Sequence, residues 1–425
     1  MSIFESRMRF ITLLSLAWRN IWRHRRRTII TLSSVAIGFS LAVAGIGLQD
    51  AGHNSMIRNG IQMGEGHITI QLKEYMATPA NYRFIKNGKA LMQSLQGLGI
   101  DGQVAPRIAL HVLANTASNS VGAMLEGIDH DADPRADQLR SKLVTGSWLK
   151  SEDRRGVVIG SIMARKLKLK VGSKVVIMIG KRGGDPEANL ALVRGIFTTG
   201  INEMDSFFMV SGVPFARRFL VAEGGVAEEQ PLTRVAIFLN DGDGMEPWLI
   251  QIRHQVQEPG LVVLSWKQMM PQLLQYITID DAFNYVLYFL ILFVVVVGII
   301  NTVLMSVLER TREFGLLRAL GMSRDYLLWL VFSESLVLSV LAVTVGWILA
   351  GGLHWYLAVH GVDFSAVIGE GTQFMGTVMD PIIRSELSPL RIIQLTVIIF
   401  IATLASGIYP AIKAARVSPV EALRT

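Results

Sequence analysis

The chain has no cysteine among its 425 residues, and charged residues make up only 18% of it. Without cysteine the protein folds without disulfides, and this absence carries no information about its compartment. Hydrophobic residues make up 51% of the chain, and the mean hydropathy is positive. This balance is too apolar for an ordinary soluble enzyme of this length and indicates a membrane protein.

Several motifs of catalysis are also missing. The chain has no G-x-x-x-x-G-K-[ST] phosphate-binding loop, so we expect it not to hydrolyse ATP in that way itself. It has neither a G-x-S-x-G elbow nor an H-E-x-x-H pair. The acidic cluster at 129–133 lacks the glycine and the final glutamate of a calcium-binding loop, which favours a solvated turn over a metal site. The sequence therefore predicts a non-catalytic chain without a metal or cofactor of its own.

Four apolar segments are long enough to cross a membrane, since a hydrocarbon core about 30 Å thick needs about 20 apolar residues in a helix. Residues 28–48, 282–308 and 392–412 contain no Asp, Glu, Lys or Arg, and the third segment along the chain contains only Glu334. The predicted fold is membrane α-helical, with four transmembrane helices arranged one plus three and a large α+β external domain between the first two. The predicted parts are an amphipathic N-terminal arm at 1–27, membrane helices at 28–48, 282–308, 327–359 and 391–412, the external domain with a helical stalk at 49–281, a coupling segment at 309–326, a short loop at 360–390 and a tail at 413–425.

Arginine positions predict the orientation in the membrane. The arm at 1–27 carries seven arginines and one acid, and the segment at 309–326 adds four arginines. Because basic residues near membrane ends stay in the cytoplasm, both termini are predicted to be cytoplasmic and the large domain external. This topology accounts for the net charge of +7 without a nucleic-acid partner. The first apolar segment also resembles a signal peptide with Ala42–Ala44 as its cleavage site, but its length favours an uncleaved anchor.

The external domain contains strand-like and helix-like runs in alternation. Its β-branched runs are separated by Gly, Asp, Asn and Pro, which is typical of an α+β domain. The turn-rich stretch at 129–147 suggests two lobes. At its end, Met269, Leu273 and Tyr276 follow helical spacing, which predicts a helical stalk that continues into the second membrane helix. The alternative is a loop followed by an independent helix.

The segment ERTREFGLLRALGMS at 309–323 is dense with charge between two apolar segments. Phe314, Leu317 and Leu320 recur at helical spacing, which predicts a short helix with an apolar side directed at a partner or the membrane. Gly315 permits a bend, Gly321 suits a left-handed C-terminal cap, and Ser323 suits the N-cap of the next helix. An ordinary positive-inside loop would explain the arginines but not the glutamates, the glycines or the apolar side.

This segment resembles the cytoplasmic coupling segment of the ABC permeases grouped with MacB, FtsX and the lipoprotein-releasing LolC and LolE proteins. The tail IYPAIKAARVSPVEALR at 408–424 is similar to the closing motif of that family, and 148–178 resembles part of its periplasmic domain. The resemblance implies a permease that works with two ATPase subunits, which bind ATP and Mg, and with a second permease copy or paralogue. It implies that the following residues contact the ATPase: Glu309, Arg312, Glu313, Phe314, Leu316, Leu317, Arg318, Leu320 and Gly321.

The lipoprotein-releasing branch fits best, because the chain has no ATPase domain of the MacB kind and its external domain is larger than that of FtsX. The resemblance then implies a bacterial inner-membrane protein that extracts lipoproteins or similar amphiphiles for a periplasmic carrier. MacB-like efflux of amphiphiles and FtsX-like signalling without transport remain alternatives. Residues implied to line an acyl-chain site are Val35, Phe39, Val43, Tyr285, Tyr288 and Leu292, with helix packing or lipid contact as the alternative for each. Glu334 is expected to snorkel or to pair with an arginine rather than to couple protons.

Overall fold

The computed structural model describes residues 2–23, 25–150, 153–181, 184–242, 244–365, 373–374, 377–378 and 382–416. The chain divides into two compact units. The membrane unit comprises Met1–His53, Thr278–Phe364 and Ile382–Thr425, and the domain unit comprises Asn54–Ile277 and Ser365–Pro381. The end of the predicted tail motif, 417–424, and parts of the predicted loop at 360–390 lie outside the described residues.

The elements follow one another in this order. The described α-helices are α1 Ser2–Arg23, α2 Arg25–Met63, α3 Lys73–Ala77, α4 Gly88–Gln96, α5 Pro134–Ser141, α6 Ser161–Leu167, α7 Asn202–Phe207, α8 Val213–Ala222, α9 Met245–Gln255, α10 Trp266–Met269, α11 Pro271–Glu309, α12 Thr311–Ala319, α13 Arg324–His360, α14 Pro389–Ser406 and α15 Ile408–Ala415. The described strands are β1 Ile68–Leu72, β2 Gly102–Asn115, β3 Ser120–Ile128, β4 Leu143–Gly146, β5 Gly156–Gly160, β6 Lys174–Ile179, β7 Glu187–Phe197, β8 Phe208–Gly212, β9 Arg234–Leu239, β10 Leu261–Ser265, β11 Val362–Asp363, β12 Gln373–Phe374, β13 Thr377–Val378 and β14 Ile382–Ile383.

Four of these helices are long and apolar enough to cross a membrane. We call α2, α11, α13 and α14 membrane helices 1 to 4. Membrane helices 1 and 2 have 39 residues each, which is about 58 Å at about 1.5 Å per residue. Both are longer than a hydrocarbon core of about 30 Å requires. They continue beyond the apolar segments at 28–48 and 282–308. Membrane helix 2 begins at Pro271 and includes Leu273 and Tyr276 of the predicted stalk, whereas Met269 is the last residue of the separate helix α10.

Membrane helix 1 contributes buried side chains to the core of the membrane unit. Val35, Phe39 and Val43 are each at most 2% exposed. The ring of Phe39 meets Trp347 of membrane helix 3 edge to face, with 5.6 Å between the ring centroids. Gly346 makes this approach possible, because a Cβ atom there would lie 2.9 Å from Cδ1 of Phe39. Membrane helices 1 and 3 therefore pack closely at this level.

The domain unit is built on ten paired strands. Their order is β10-β1-β9-β2-β3-β8-β5-β7-β4, and β6 pairs with β2 and with β7. The pairings of β2, β3, β8, β5, β7 and β6 return to β2 and form a closed ring, whereas β10, β1 and β9 extend from the first part of β2. The mixture of strands and helices agrees with the predicted α+β class.

The division that the sequence suggests at 129–147 is wrong. That stretch contains helix α5 and strand β4, and it belongs to the same unit as the rest of the domain. The two sheet regions instead share the long strand β2, which pairs with β9 over Gly102–Arg107 and with β3 over Ile108–Asn115. A 14-residue strand can take part in both regions because its two halves hydrogen-bond to different neighbours.

A cluster of buried charges holds the end of membrane helix 1 inside the domain unit. Arg107 and Arg135 both donate hydrogen bonds to the carbonyl oxygen of Gly64, the residue after that helix. Arg107 also forms an ion pair with Asp133, with 2.6 Å between Nε and Oδ2, and neither side chain is exposed. Asp133 belongs to the acidic cluster at 129–133, so this acid has a structural partner. Glu65 pairs with Arg234 at 2.6 Å.

Candidate functional site

The coupling segment forms a short helix with defined ends. Membrane helix 2 ends at Glu309, Arg310 is the N-cap of α12, and α12 runs over Thr311–Ala319. The chain therefore bends at Arg310 and not at Gly315, which lies inside α12 and is buried. The bend falls there because Arg310 leaves the helical conformation, with φ −100° and ψ 12°.

The predicted caps of this segment are confirmed. Gly321 has φ +95°, the left-handed conformation that glycine adopts without strain. The N–H of Met322 donates to the carbonyl of Leu317, and the N–H of Gly321 donates to that of Arg318. This pair of hydrogen bonds is the Schellman arrangement that ends a helix. The hydroxyl of Ser323 then accepts from the N–H of Tyr326 and caps membrane helix 3.

The apolar side of α12 is divided between the core and the surface. Phe314 is 1% exposed and belongs to the core of the membrane unit, so it is not available to a partner, contrary to the sequence prediction. Phe314 is buried because it packs into this core and because the guanidinium of Arg310 covers its ring, with 5.1 Å between the Cζ atom of Arg310 and the ring centroid. Leu317 is half-buried against the same core. Leu316 and Leu320 are 53% and 77% exposed, and they form the apolar surface of this segment.

The glutamates of the coupling segment are paired within the membrane unit. Glu309 accepts from Arg27 at 2.5 Å, and Glu313 accepts from Arg23 at 2.9 Å. Arg310 also donates to Glu313 at 3.0 Å, and this hydrogen bond lowers the pKa of Glu313. Arg312, in contrast, is exposed. The charges of this segment therefore fix it to the N-terminal helix and to the start of membrane helix 1.

Glu334 has the arginine partner that the sequence favours. Its Oε1 accepts from Arg310 at 2.9 Å and from Asn20 at 2.7 Å, and the residue is 8% exposed. An acid inside a membrane helix is costly unless it is paired. The pair joins membrane helix 3 to the residue between membrane helix 2 and α12, so that the cytoplasmic bend has a fixed position.

An apolar cavity of about 250 Å³ lies between membrane helices 1, 2 and 4. Five of the six residues that the resemblance assigns to an acyl-chain site line it: Val35, Phe39, Tyr285, Tyr288 and Leu292. Val43 does not line the cavity and is buried in the core instead. Sequence reasoning missed that membrane helix 4 also lines the cavity. The lining residues of this helix are Arg391, Gln394, Leu395, Ile398 and Ile399. The signal that could have found it is the helical spacing of Arg391, Gln394 and Ile398.

Polar side chains from three helices close one end of this cavity. Arg391 of membrane helix 4 forms ion pairs with Asp50 of membrane helix 1 at 2.7 Å and with Asp281 of membrane helix 2 at 3.1 Å. Gln49 donates to Asp281 at 2.9 Å and accepts from the hydroxyl of Tyr288 at 3.3 Å. The cavity can therefore hold an apolar chain against its walls and a polar group at this end.

The described residues contain no group of three or more His, Cys, Asp or Glu side chains that could hold a metal ion.

Both parts of the chain match known protein families. Residues 28–254 match the MacB-like periplasmic core domain, and residues 285–419 match the FtsX-like permease C-terminal domain. The chain is 21% identical over 419 residues to the lipoprotein-releasing system transmembrane protein LolE of Haemophilus influenzae, covering 95% of this chain and 97% of LolE. It is 23% identical over 433 residues to an ABC transporter permease of Methanocaldococcus jannaschii, covering 98% of each. It is 37% identical over 127 residues to the macrolide export ATP-binding/permease protein MacB of Chlorobium luteolum, covering 30% of this chain and 16% of MacB.

The chain has four helices that are long and apolar enough to cross a membrane and a large folded domain between the first two along the sequence. The matched models indicate an inner-membrane protein with a periplasmic domain. The chain belongs to the ABC transporter permeases of the MacB, FtsX and LolC/LolE type, which confirms the resemblance found in its sequence.

Proposed function

We propose that this chain is the permease subunit of an ATP-driven transporter that extracts lipoproteins from the outer leaflet of the inner membrane and delivers them to a periplasmic carrier. The observation that carries this proposal is the apolar cavity with a polar end between membrane helices 1, 2 and 4. Tyr285 and Phe289 in its wall are 64% and 65% exposed, so an acyl chain can enter from the side of the membrane unit. The polar end then suits the linkages that join acyl chains to a protein.

The chain acts in this proposal as a transmitter of movement. Two copies of a separate ATPase subunit bind ATP and Mg and contact the cytoplasmic surface of α12 at Leu316 and Leu320. A second permease copy or a paralogue covers membrane helix 2, whose outer side chains Phe283, Val286 and Phe293 are each more than half exposed. Closure of the ATPase subunits moves the membrane helices, and the acyl chain leaves the cavity.

A specific observation favours a second candidate, efflux of small amphiphiles. Over 127 residues the chain is 37% identical to a macrolide exporter, against 21% over nearly its whole length for LolE. Both substrates have an apolar part that suits the same cavity, so the two candidates differ in what is attached to that part.

Crosslinking from the cavity distinguishes these functions, and the cysteine-free chain makes it specific. A photoreactive group is attached to Tyr288→Cys in the cavity or, as a control, to Ile348→Cys, which is on membrane helix 3 and 69% exposed. We expect acylated protein at the Tyr288 position and lipid alone at the control, with ATP decreasing the protein adduct. Small amphiphiles at the Tyr288 position would favour efflux, and no adduct under conditions of measurable transport would contradict this cavity as the substrate site.

A further inference from the structure

The domain unit contains a second and larger cavity, of about 580 Å³. We call it the methionine cavity because five of the chain's 18 methionines line it: Met63, Met124, Met204, Met269 and Met270. All five are half-buried, so that they belong neither to a closed core nor to the open surface. A cavity of this size is within the range of about 300–1,000 Å³ that ligand sites occupy.

The methionines reach the cavity from separate parts of the chain. Met63 is the last residue of membrane helix 1, and Met269 and Met270 directly precede membrane helix 2. Met124 lies in β3 and Met204 lies in α7. Because the five side chains do not come from one periodic element, their convergence is a property of the folded domain and not of one amphipathic helix.

The chemistry of the lining points to a flexible apolar ligand. Methionine is unbranched, and its thioether is polarisable, so a methionine surface adapts to ligands of different shape. Phe207 adds an aromatic side chain that is 40% exposed at the same cavity. Half-buried side chains of this kind lose their remaining contact with water when a hydrocarbon chain fills the space between them.

The charges of the lining restrict the polar end of such a ligand. Its ionisable residues within the described part of the chain are two acids, Glu65 and Glu203. Glu65 is already paired with Arg234 at 2.6 Å. Glu203 is exposed, and its carboxylate has no hydrogen bond or ion pair with any described residue. Glu203 would therefore repel an anionic group, and the described lining of the cavity includes no Lys or Arg.

We propose that the methionine cavity binds one hydrocarbon chain of an amphiphile whose polar end is neutral or cationic. This site is distinct from the cavity of the membrane unit, and it does not depend on whether the transported substrate is a lipoprotein. The chain can belong to a lipid-modified protein or to a free amphiphile, since the recognised part is the same.

Methionine oxidation measures occupancy directly, because exposed thioethers become sulfoxides and protected ones do not. The full chain in lipid nanodiscs is treated with hydrogen peroxide, and the rate at each methionine is followed by mass spectrometry. The probes are dodecyltrimethylammonium, monododecanoylglycerol and dodecanoate, at concentrations that leave the nanodiscs intact. We expect the first two to slow oxidation of the five methionines by about fivefold and dodecanoate to have a smaller effect.

The domain unit supplies internal controls. Met92 and Met178 are also half-buried but do not line the cavity, and their oxidation is expected to stay unchanged. Equal protection of these two would indicate a general change in the domain and would overturn the proposal, as would no protection of the five.

Two variants test the chemistry. Met204→Gln introduces a polar amide of similar length and is expected to weaken protection of the other four methionines, whereas Met178→Gln is expected to have no effect. Glu203→Gln is expected to raise protection by dodecanoate to the level of the cationic probe. Equal protection by all three probes in the unchanged chain would overturn the assignment of charge. Protection by acylated protein but by no free amphiphile would overturn the hydrocarbon chain as the recognised part.

Discussion

Arg107 and Arg135 are charged side chains in the interior of the domain unit, where they share the carbonyl oxygen of Gly64 as an acceptor. Cations near the C-terminus of a helix interact favourably with its exposed carbonyls. The partners of these arginines come from α5, β3 and the residues after membrane helix 1, and no sequence spacing predicts such a combination. Burial would raise the pKa of Glu65 in this cluster, but the charges of Arg234, Arg107 and Arg135 hold it below the ordinary value.

Removal of Arg107 tests how much this cluster contributes to stability. Arg107→Met leaves the carboxylate of Asp133 buried without its arginine, and breaking such a pair typically costs about 3–5 kcal/mol. The expected result is a lower melting temperature of the full chain, and Asp133→Asn in the same chain should restore part of it. Arg140→Met is the control, because its pair with Asp137 is largely exposed and contributes at most about 1 kcal/mol. Similar effects of Arg107→Met and Arg140→Met would contradict a stabilising role of the cluster.

We expect His67 to make the stability of the domain unit dependent on pH. Its Nδ1 accepts a hydrogen bond from the N–H of Leu239 at 3.1 Å, and burial lowers the pKa of His67. The unfolded chain binds a proton at about pH 6.5 and the folded chain only at lower pH, so stability decreases as the pH falls below about 6.5.

Melting temperatures between pH 5 and pH 8 check this expectation. His67→Gln should reduce the dependence on pH, whereas His111→Gln at an exposed position should not. An identical pH profile for the unchanged chain and His67→Gln would exclude His67 as the cause.

Helix α12 has one side that packs into the core of the membrane unit and one side that is exposed and proposed to contact the ATPase subunit. Leu320 is 77% exposed, so Leu320→Asp is expected to leave folding unchanged and to weaken assembly with the ATPase subunit, since burying an unpaired charge costs several kcal/mol. Phe314→Ala should instead destabilise the membrane unit by about 3–5 kcal/mol, because it removes a buried aromatic ring. Copurification with the ATPase subunit and ATP hydrolysis are measured together, with Leu190→Asp in β7 as the control. If the Leu320→Asp variant assembled normally with the ATPase subunit, the proposed contact at Leu320 would be wrong, and α12 would serve only to connect two membrane helices.

The cavity of the membrane unit shows which of its lining residues helical spacing can predict. Val35, Phe39 and Val43 are spaced by four residues, and two such steps turn a helix by about 80° beyond full turns. Val43 therefore leaves the face that Val35 and Phe39 share, and alternation of three and four residues leads instead to Ala42, Ile46 and Gln49. The resemblance predicted five of the lining residues, two on membrane helix 1 and three on membrane helix 2. Helical spacing places Arg391, Gln394 and Ile398 on one face of membrane helix 4, but it does not show that this face meets the cavity, because contact between two membrane helices depends on their packing and not on either sequence alone.

The proposed function requires that movement be transferred along membrane helix 2, which is one helix over Pro271–Glu309. Gly replacements at Tyr276 and Ile277 each cost about 1 kcal/mol of helix propensity and add local flexibility. The expected result is loss of export while the assembled complex continues to hydrolyse ATP. Ala replacements at the same two positions keep the helix and are the matched control. Unchanged export by the Gly variant would exclude a stalk that must be rigid.

The organisation of the whole molecule was more predictable than its internal contacts. Apolar segments and arginine positions report on the membrane, which acts on the sequence directly, so four membrane helices and a large inserted domain follow from them. The burial of Phe314 and the shared strand β2 depend on tertiary packing. Local patterns therefore predicted the helix ends at Gly321 and Ser323 but not which side of α12 faces the core.

The ion pairs between the N-terminal region and the coupling segment also impose an order on biosynthesis. Arg23 and Glu313 are 290 positions apart, and Arg27 and Glu309 are 282 apart. At about 5–20 residues per second, the ribosome needs roughly 15–60 s to cover this distance. During that time both arginines lack these partners, and their charge is available to orient the first membrane helix. The same side chains later pair with the glutamates, so these contacts can form only after the coupling segment has been synthesised.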